Sequence, residues 1–513
     1  MNLLNVFDAN VRKFGDKDFI RYKGKKETYL ETQYKSLQAA QILKGYGIQA
    51  NDKVALFCYN TPSFLWILFG AWRLGAIVVP INHKLKSREL IYILEDSEAK
   101  FLLFDAQLAA VVKNTTIDIP SLSTQGNGDT GEEIEAILQN TQPLALEDKA
   151  ILTFESVGEI LYTSGTTGLP KGCIMTHRSI YIAAQIAAVA VSLKKDERLL
   201  MAMPIWHASP LNNWFGGTLY VGGTVVLLRE YHPLYFLQTI EKENITLFFG
   251  SPISYTLPMN TISNFSDFDL SSVRVWIYGA GPIGEELSRK ISTNYNSGAF
   301  YQVFGMTETG PTGIALYPEE QLIKAGSIGK FPLPTVSIKV VDENGNEVGK
   351  GEIGEIWMKA DSLMSGYYKK PKESKEAFTE DGWYITGDMV RIDEDGYLFI
   401  VDRKNDIIIS RGGENVYSKE VEDMILLHPD IADVAVIGIP SEEWGETVTA
   451  IVVLKPNTAL TSEQLKSFLK ENMADYRVPR IYYFTDILPR TPSGKVQKFI
   501  LREEIVKNEK ANS

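Results

Sequence analysis

Short, wholly apolar runs alternate with stretches of helical length through the first half of the chain, and this rhythm restricts the fold more than any other feature. VALFCYN, at 54–60, reads as a buried strand, SFLWILFGAWRLG after it as a helix, and AIVVPI as the next strand. IYILEDS followed by KFLLFD repeats the pattern, and so does FLQTIEKENI followed by TLFFGSP. Strands without polar alternation are buried on both faces, which calls for a parallel sheet covered by helices. Upstream, Leu37, Ala40, Leu43 and Ile48 fall near helical spacing, with Gly45 and Gly47 where that helix stops.

The rhythm changes from about 342 to 396. DENGNEVGKGEIGE, EDGWYITGD and DEDGY are turn-rich and separate short runs such as VSIKVV and YLFIVD, the pattern of a small antiparallel unit. After VDRKND come a helix at 418–427, two strands (VAVIGIP and TAIVVLKP) and a helix at 462–473, a compact α+β tail. The expected organisation is α/β. A large N-terminal domain, 1–404, holds two parallel α/β subdomains and a β-rich one, and a small α+β domain covers 405–513.

At 513 residues the chain exceeds what one core organises. A net charge of −12 argues against nucleic acid as a partner. Cys58 and Cys173, far apart, build neither a disulfide framework nor a cysteine metal site, which suits a reducing compartment. The N-terminal residues carry charges throughout and show no signal-peptide core. The most apolar stretch, 66–81, is interrupted by Arg73, Gly75 and Pro80 and reads as helix plus strand, not a membrane span. A cytoplasmic protein is expected, and the sequence leaves its oligomeric state open, a homodimer included.

The chemistry concentrates in a few tracts. Tyr162-Thr163-Ser164-Gly165-Thr166-Thr167-Gly168-Leu169-Pro170-Lys171-Gly172 follows the apolar run EILYT. Its glycines let backbone approach phosphate oxygens, its hydroxyls donate, and Lys171 adds a compact positive charge. It is not a Walker A loop, since no Gly-Lys-Ser/Thr closes it at the required spacing. The order of its residues resembles the phosphate-binding signature of the adenylate-forming superfamily: acyl-CoA synthetases, luciferases and peptide-synthetase adenylation domains.

Further tracts extend the resemblance. Tyr301-Gln302-Val303-Phe304-Gly305-Met306-Thr307-Glu308-Thr309-Gly310 is similar to the family's second core motif. It implies that Thr307 contacts a phosphate and that Glu308, with Thr163, holds a Mg²⁺ bridging ATP oxygens, as a hard cation requires. Tyr301, Gly305 and Met306, with Gly279 and Ala280 upstream, are implied as the rest of the ATP site. Trp383-Tyr384-Ile385-Thr386-Gly387-Asp388 resembles the third motif, in which Asp388 accepts from both ribose hydroxyls. Arg403, in Val401-Asp402-Arg403-Lys404-Asn405-Asp406, also reaches the ribose in the family. Two residues on lies the family's hinge, usually Asp or Lys and here Asn405, so a charge-based account of the hinge does not carry over. Lys495, in LPRTPSGKV, matches the family's mobile lysine, which meets the carboxylate and the α-phosphate during adenylation.

The resemblance also implies a thiol acceptor. Arg411, Gly412, Gly413 and Glu414 match the glycine turn that lines a pantetheine tunnel in acyl-CoA synthetases, and Trp444 an aromatic beside it. Tyr476, Arg477 and Arg480 lie where relatives meet the CoA nucleotide. Pro204-Ile205-Trp206-His207 matches the family's Pro-aliphatic-aromatic-His element, whose His clears the thiol's path. The acyl pocket is then expected near Trp206, His207, Asn212, Asn213, Trp214, Tyr255, Tyr278 and Gly279. FIVDRKNDIIISRGGENVYSKEVE resembles the crotonobetaine/carnitine–CoA ligase branch and its medium- and long-chain fatty acid neighbours. Trp206, Trp214 and Tyr255 would then offer an aromatic box to a trimethylammonium group, or simply line a pocket for a fatty or aryl acid.

The function implied is an acid–thiol ligase with ATP, Mg²⁺ and CoA, and with Lys495, His207, Thr163 and Glu308 as its catalytic residues. A carboxylic acid becomes its acyl-adenylate with loss of pyrophosphate. The C-terminal lid then turns about Asn405, and CoA takes the acyl group with loss of AMP. An adenylation enzyme loading a carrier protein, a luciferase-like oxidase and an inactive binding protein are the alternatives. The last would need a broken Glu308, Asp388, Arg403 or Lys495, and all four are present.

Overall fold

The computed structural model describes residues 2–115, 118–124, 133–163, 170–279, 285–295, 298–410, 414–441, 445–473, 475–490 and 496–512, with backbone only at 285, 405, 409, 410, 414, 415, 441, 445 and 508–512. The chain divides into two compact units. One comprises residues 1–163, 170–338 and 358–384, the other 164–169, 339–357 and 385–513. The 404/405 boundary expected from the sequence falls inside the second unit.

Two sheets build the first unit. The six-stranded sheet runs Ser121–Ser123, Ala99–Phe104, Lys53–Phe57, Ile77–Pro80, Val157–Thr163, Lys171–Thr176, parallel except for the last, antiparallel pair. The nine-stranded sheet is parallel from Phe300–Phe304 through Val275–Tyr278, Leu247–Gly250, Arg198–Met201 and Thr224–Leu227 to Asp18–Tyr22. Antiparallel strands flank it on both sides. The N-terminal hairpin thus joins the second sheet, which local sequence pattern does not reveal.

Each strand sends alternate side chains to opposite faces. Val54 and Leu56 enter the largest core with helices Leu3–Phe14, Tyr29–Gly45 and Pro62–Arg73, whereas Ala55 and Phe57 enter a core with helix Ser87–Ser97. Leu199 and Met201 of the second sheet join that same largest core. Leu200 faces a third core holding Phe236, Leu237 and Trp276. The expected helix over Leu37–Leu43 is Tyr29–Gly45. It is started by a capping box in which the Thr28 hydroxyl accepts from the Glu31 N–H and the Glu31 carboxylate accepts from the Thr28 N–H. Gly70 lies where helix Pro62–Arg73 crosses it: a Cβ there would stand 2.9 Å from the Ala40 nitrogen, so only glycine permits the approach.

Ser337–Val341, Ile353–Lys359, Tyr384–Ile392 and Leu398–Arg403, lying chiefly in the second unit, form the four-stranded sheet expected from the turn-rich tract. The tail is a five-stranded sheet centred on Ile431–Ser441 and Gly445–Leu454. Helices Ser418–Leu426 and Ser462–Asn472 share one core with it, and Leu501 and Ile505 of helix Lys498–Asn512 another. The fold is the mixed α/β architecture expected. Cys58 and Cys173 are buried free thiols, and among the described residues no helix is long and apolar enough to cross a membrane.

Candidate active site

Thr163 ends the strand Val157–Thr163 and pairs with Lys171 at the start of Lys171–Thr176. Ser164, Gly165, Thr166, Thr167 and Gly168, expected to cradle phosphate, lie outside the described residues, as do Ala280, Arg411, Gly412, Gly413, Trp444 and Lys495. The segment 364–368 zips along the second strand: the Ile174 N–H donates to the Gly366 carbonyl at 2.9 Å and the Tyr368 N–H to the Gly172 carbonyl at 2.7 Å. This brings in Tyr367, which sequence reasoning missed. The Lys171 ammonium lies 4.4 Å from its ring centre, and its hydroxyl donates to Glu308 Oε1 at 3.2 Å. Thr163, Lys171, Tyr367 and Glu308 thus form one connected group.

Glu308 rides on a single turn, Thr307–Thr309, after the strand Phe300–Phe304. The turn is welded in place. The Thr309 hydroxyl bonds the Met306 carbonyl, the Ser362 hydroxyl donates to the Thr309 carbonyl at 2.9 Å, and Thr312 and Ser362 share a hydrogen bond. Gly310 closes it at φ +67°, where a Cβ would stand 2.3 Å from the Ser362 oxygen. Gly305 is similarly tight, its notional Cβ being 2.7 Å from Pro311. Tyr301 and Met306 pack beside the largest core. Among the described residues no group of three or more His, Cys, Asp or Glu could hold a metal alone. A single carboxylate, fixed by a tyrosine hydroxyl, fits Mg²⁺, which keeps waters and takes phosphate oxygens for its remaining positions.

The Pro204–His207 tract is held from the first sheet. The Asn60 amide group reaches the carbonyls of Met201, Met203 and Leu228, while its oxygen accepts from the Ile205 N–H at 2.8 Å. Trp206 and His207 are half-buried neighbours with ring centres 5.5 Å apart. The π-helical turn Ser209–Phe215 follows, a rare conformation concentrated at functional sites. It carries Asn212, which donates to the buried Glu159 at 3.1 Å, Asn213, directed at the carbonyls of Gly310 and Pro311, and Trp214. Trp214 stacks on Phe249 at 5.5 Å, and Phe249 lies 3.2 Å from where a Cβ on Gly279 would stand.

Tyr255 and Tyr278 depart from the expectation that they line the same pocket. Both belong to the core on the opposite face of the nine-stranded sheet. There Tyr255 packs on Phe248, Trp276 and Phe300 and donates to the Ile277 carbonyl, and Tyr278 donates to Gln321 at 2.7 Å. Strand Val275–Tyr278 turns Ile277 toward Trp214's core and Tyr278 away from it. A cage of Trp206, Trp214 and Tyr255 is therefore not assembled.

In the second unit, Asp388 and Arg403 are cross-strand partners, with Arg403 Nε 2.8 Å from Asp388 Oδ1. Arg403 also donates to the Thr386 carbonyl at 2.9 Å, and the Asp388 N–H to the Thr386 hydroxyl at 3.0 Å. Asn405 lies in the turn Lys404–Asp406, and Glu414 opens the strand Glu414–Val416. Arg477 pairs with Glu420 at 3.0 Å and donates to the Tyr476 hydroxyl, whereas the Arg480 N–H bonds the Val448 carbonyl.

Within the first unit, a hydroxyl-and-lysine strand end and a welded turn offering one carboxylate suit the phosphates of a nucleoside triphosphate and their cation; the second unit separately carries an Asp–Arg pair of the kind that binds vicinal hydroxyls. Residues 7–368 match the family of AMP-binding enzymes, and residues 420–495 the C-terminal domain of AMP-binding enzymes. The chain belongs to the AMP-binding enzymes. It is 34% identical over 484 residues to a feruloyl-CoA synthase of Amycolatopsis sp, covering 93% of this chain and 94% of that one. It is 33% identical to the long-chain-fatty-acid–CoA ligase FadD13 of Mycobacterium tuberculosis, covering 93% of each. The fold matches o-succinylbenzoate CoA synthetase (MenE) of Bacillus subtilis, solved with its acyl-adenylate intermediate, with TM-score 0.87, 26% identity and coverage of 97% and 98%. Within the AMP-binding enzymes this is an ATP-dependent acyl-CoA ligase working through an acyl-adenylate.

Proposed function

We propose that this ligase activates a carboxylic acid with an uncharged fatty or aryl body. The observation that carries this reading is the Trp214–Phe249 stack beside Gly279, two flat apolar rings, with no Lys or Arg among the described pocket positions Trp206, His207, Asn212, Asn213, Trp214 and Gly279 to pair a second carboxylate. The relatives named for ferulic and long-chain fatty acids support the same class. They also favour CoA over a carrier protein as acceptor.

In this reading the strand end at Thr163, the loop Ser164–Gly168 and Lys171 bind the phosphates, and Asp388 with Arg403 binds the ribose. Glu308, oriented by Tyr367, would hold Mg²⁺, whose chemistry is to neutralise charge on the ATP oxygens. The substrate carboxylate attacks the α-phosphorus, the bond to pyrophosphate breaks, and Lys495 stabilises the charge where carboxylate meets phosphate. The tail domain then turns about Asn405. With Lys495 withdrawn, the CoA thiol gives its proton to solvent and attacks the adenylate carbonyl, and AMP leaves; the resemblance assigns Gly412, Gly413 and Trp444 to the pantetheine. His207 moves to open the thiol's path. Splitting the reaction this way lets one small domain serve two different sites.

Comparing kcat/KM for thioester formation from octanoate, cinnamate and crotonobetaine tests the acid class. Octanoate or cinnamate should exceed crotonobetaine by at least about tenfold, since an uncompensated cation in an apolar pocket costs more than one factor of ten in binding. A preference for crotonobetaine would overturn the reading.

A further inference from the structure

We propose that His83 is a positioning residue of the acid site, holding the Trp206 indole through Nδ1 and thereby setting the aromatic wall that adjoins His207. The proposal rests on the reading that Pro204–His207 borders the bound acid. His83 comes from the loop after strand Ile77–Pro80 of the first sheet, and Trp206 from the loop after Arg198–Met201 of the second. The indole N–H donates to His83 Nδ1 at 3.0 Å. An indole nitrogen only donates, so Nδ1 must carry a lone pair and the proton must sit on Nε2. Burial supports this state: it pushes the imidazole down to about 4, so the ring is neutral at pH 7.

His83 is itself held. It is 7% exposed, and its ring lies 4.3 Å from that of Tyr59. The Arg229 guanidinium sits 4.4 Å over Tyr59 and is locked by two bonds to the buried Asp105, at 2.8 and 2.6 Å. A rigid stack therefore runs from Asp105 through Arg229, Tyr59 and His83 to the indole. Trp206 is only half-buried, so packing alone does not fix its ring. Asn60 holds the backbone at Ile205, and His83 holds the side chain that follows.

The test uses the full-length enzyme, with octanoate and cinnamate as probe acids. His83→Phe keeps an aromatic ring against Tyr59 and removes the acceptor, whereas His83→Asn restores an oxygen acceptor near the Nδ1 position. His83→Phe should raise KM for the acid about five- to tenfold, as expected for one lost hydrogen bond, and leave KM for ATP and the melting temperature unchanged. His83→Asn should recover most of that loss. In the double variant with Trp206→Phe the two effects should not add, because both remove one interaction. Equal rises in KM for acid and ATP, additive effects, or an unaltered acid KM in His83→Phe would overturn the proposal. Trp206→Ala separates the two levels. If it leaves the acid KM unchanged, the placement of the acid beside Pro204–His207 fails; if it raises that KM while His83→Phe does not, only the role of His83 fails.

Discussion

The hydroxyl of Tyr367 donates to Glu308 Oε1 at 3.2 Å while the Lys171 ammonium lies 4.4 Å from the same ring, so one tyrosine links the carboxylate and the lysine that are both expected at the ATP phosphates. Tyr367→Phe keeps the ring under Lys171 and removes the donor. Partners that orient a metal-binding carboxylate typically contribute about 10- to 100-fold to metal affinity. The variant should therefore need about tenfold more Mg²⁺ for half-maximal adenylation, measured by acid-dependent pyrophosphate release, with acid KM unaltered. An unchanged Mg²⁺ requirement would remove Tyr367 from the site.

Asp388 and Arg403 pair across two strands at 2.8 Å, and both are assigned to the ribose. Asp388→Asn preserves shape and removes charge. A charge-assisted hydrogen bond is worth about 1.5–3 kcal/mol, so KM for ATP should rise roughly tenfold or more while KM for the acid stays near that of the parent. Steady-state kinetics with each substrate varied in turn would show this, and an ATP KM like the parent's would contradict it.

Glu159 is fully buried on the strand that leads to Thr163. Asn212 donates to one of its oxygens, and the other has no hydrogen-bond partner among the described residues. Burial pushes the carboxyl up to about 8 from 4.5, outweighing the opposing pull of the Asn212 bond. A folded value above the unfolded one gives stability that is complete below pH 4.5 and lost as pH rises toward 8. Glu159→Gln stays neutral, so its stability should not fall over that window and should exceed the parent's above pH 8 by a few kcal/mol. Urea unfolding at pH 5, 7 and 9 checks this; parallel curves for the two proteins would refute it.

Arg73 is wholly buried in helix Pro62–Arg73 and pairs with Asp8 at 2.9 Å, which Lys149 and Gln33 also bond. Burial alone would raise the Asp8 carboxyl, but the bonds from Arg73 and Lys149 bring it below its usual range. Arg73→Met would leave Asp8 in the core without its main partner, at a cost of about 3–5 kcal/mol. Asp8→Leu combined with Arg73→Met should recover much of it. A single variant as stable as the parent in urea would contradict this account.

What the sequence revealed and what it hid follow from the range of each signal. Apolar runs at strand and helix length report local burial, so Lys53–Phe57, Pro62–Arg73 and Ile77–Pro80 lie where the pattern puts them. Motif order places Thr163, Lys171 and Glu308, and the structure joins these three. Strand pairing between distant segments leaves no local trace, which is why the hairpin Asp18–Tyr22/Lys25–Thr28 in the second sheet was not foreseen. Face is equally hidden: a run such as VWIY is apolar at every position, so nothing in it says that Tyr278 points away from Trp214. Tyr367, Asn60, His83 and Glu159 were missed because each acts on a residue far along the chain. For Glu159 alone a signal existed, a carboxylate inside the apolar run EILYT.

The central claim is that this enzyme makes an acyl-adenylate before it touches CoA. The direct measurement is acid-dependent pyrophosphate release from Mg·ATP by the purified protein without CoA, followed by CoA addition and detection of the thioester and AMP. The account predicts a burst of pyrophosphate close to the enzyme concentration with octanoate or cinnamate alone, and steady thioester formation once CoA arrives. Pyrophosphate release that requires CoA from the outset, or ADP in place of AMP, would contradict it.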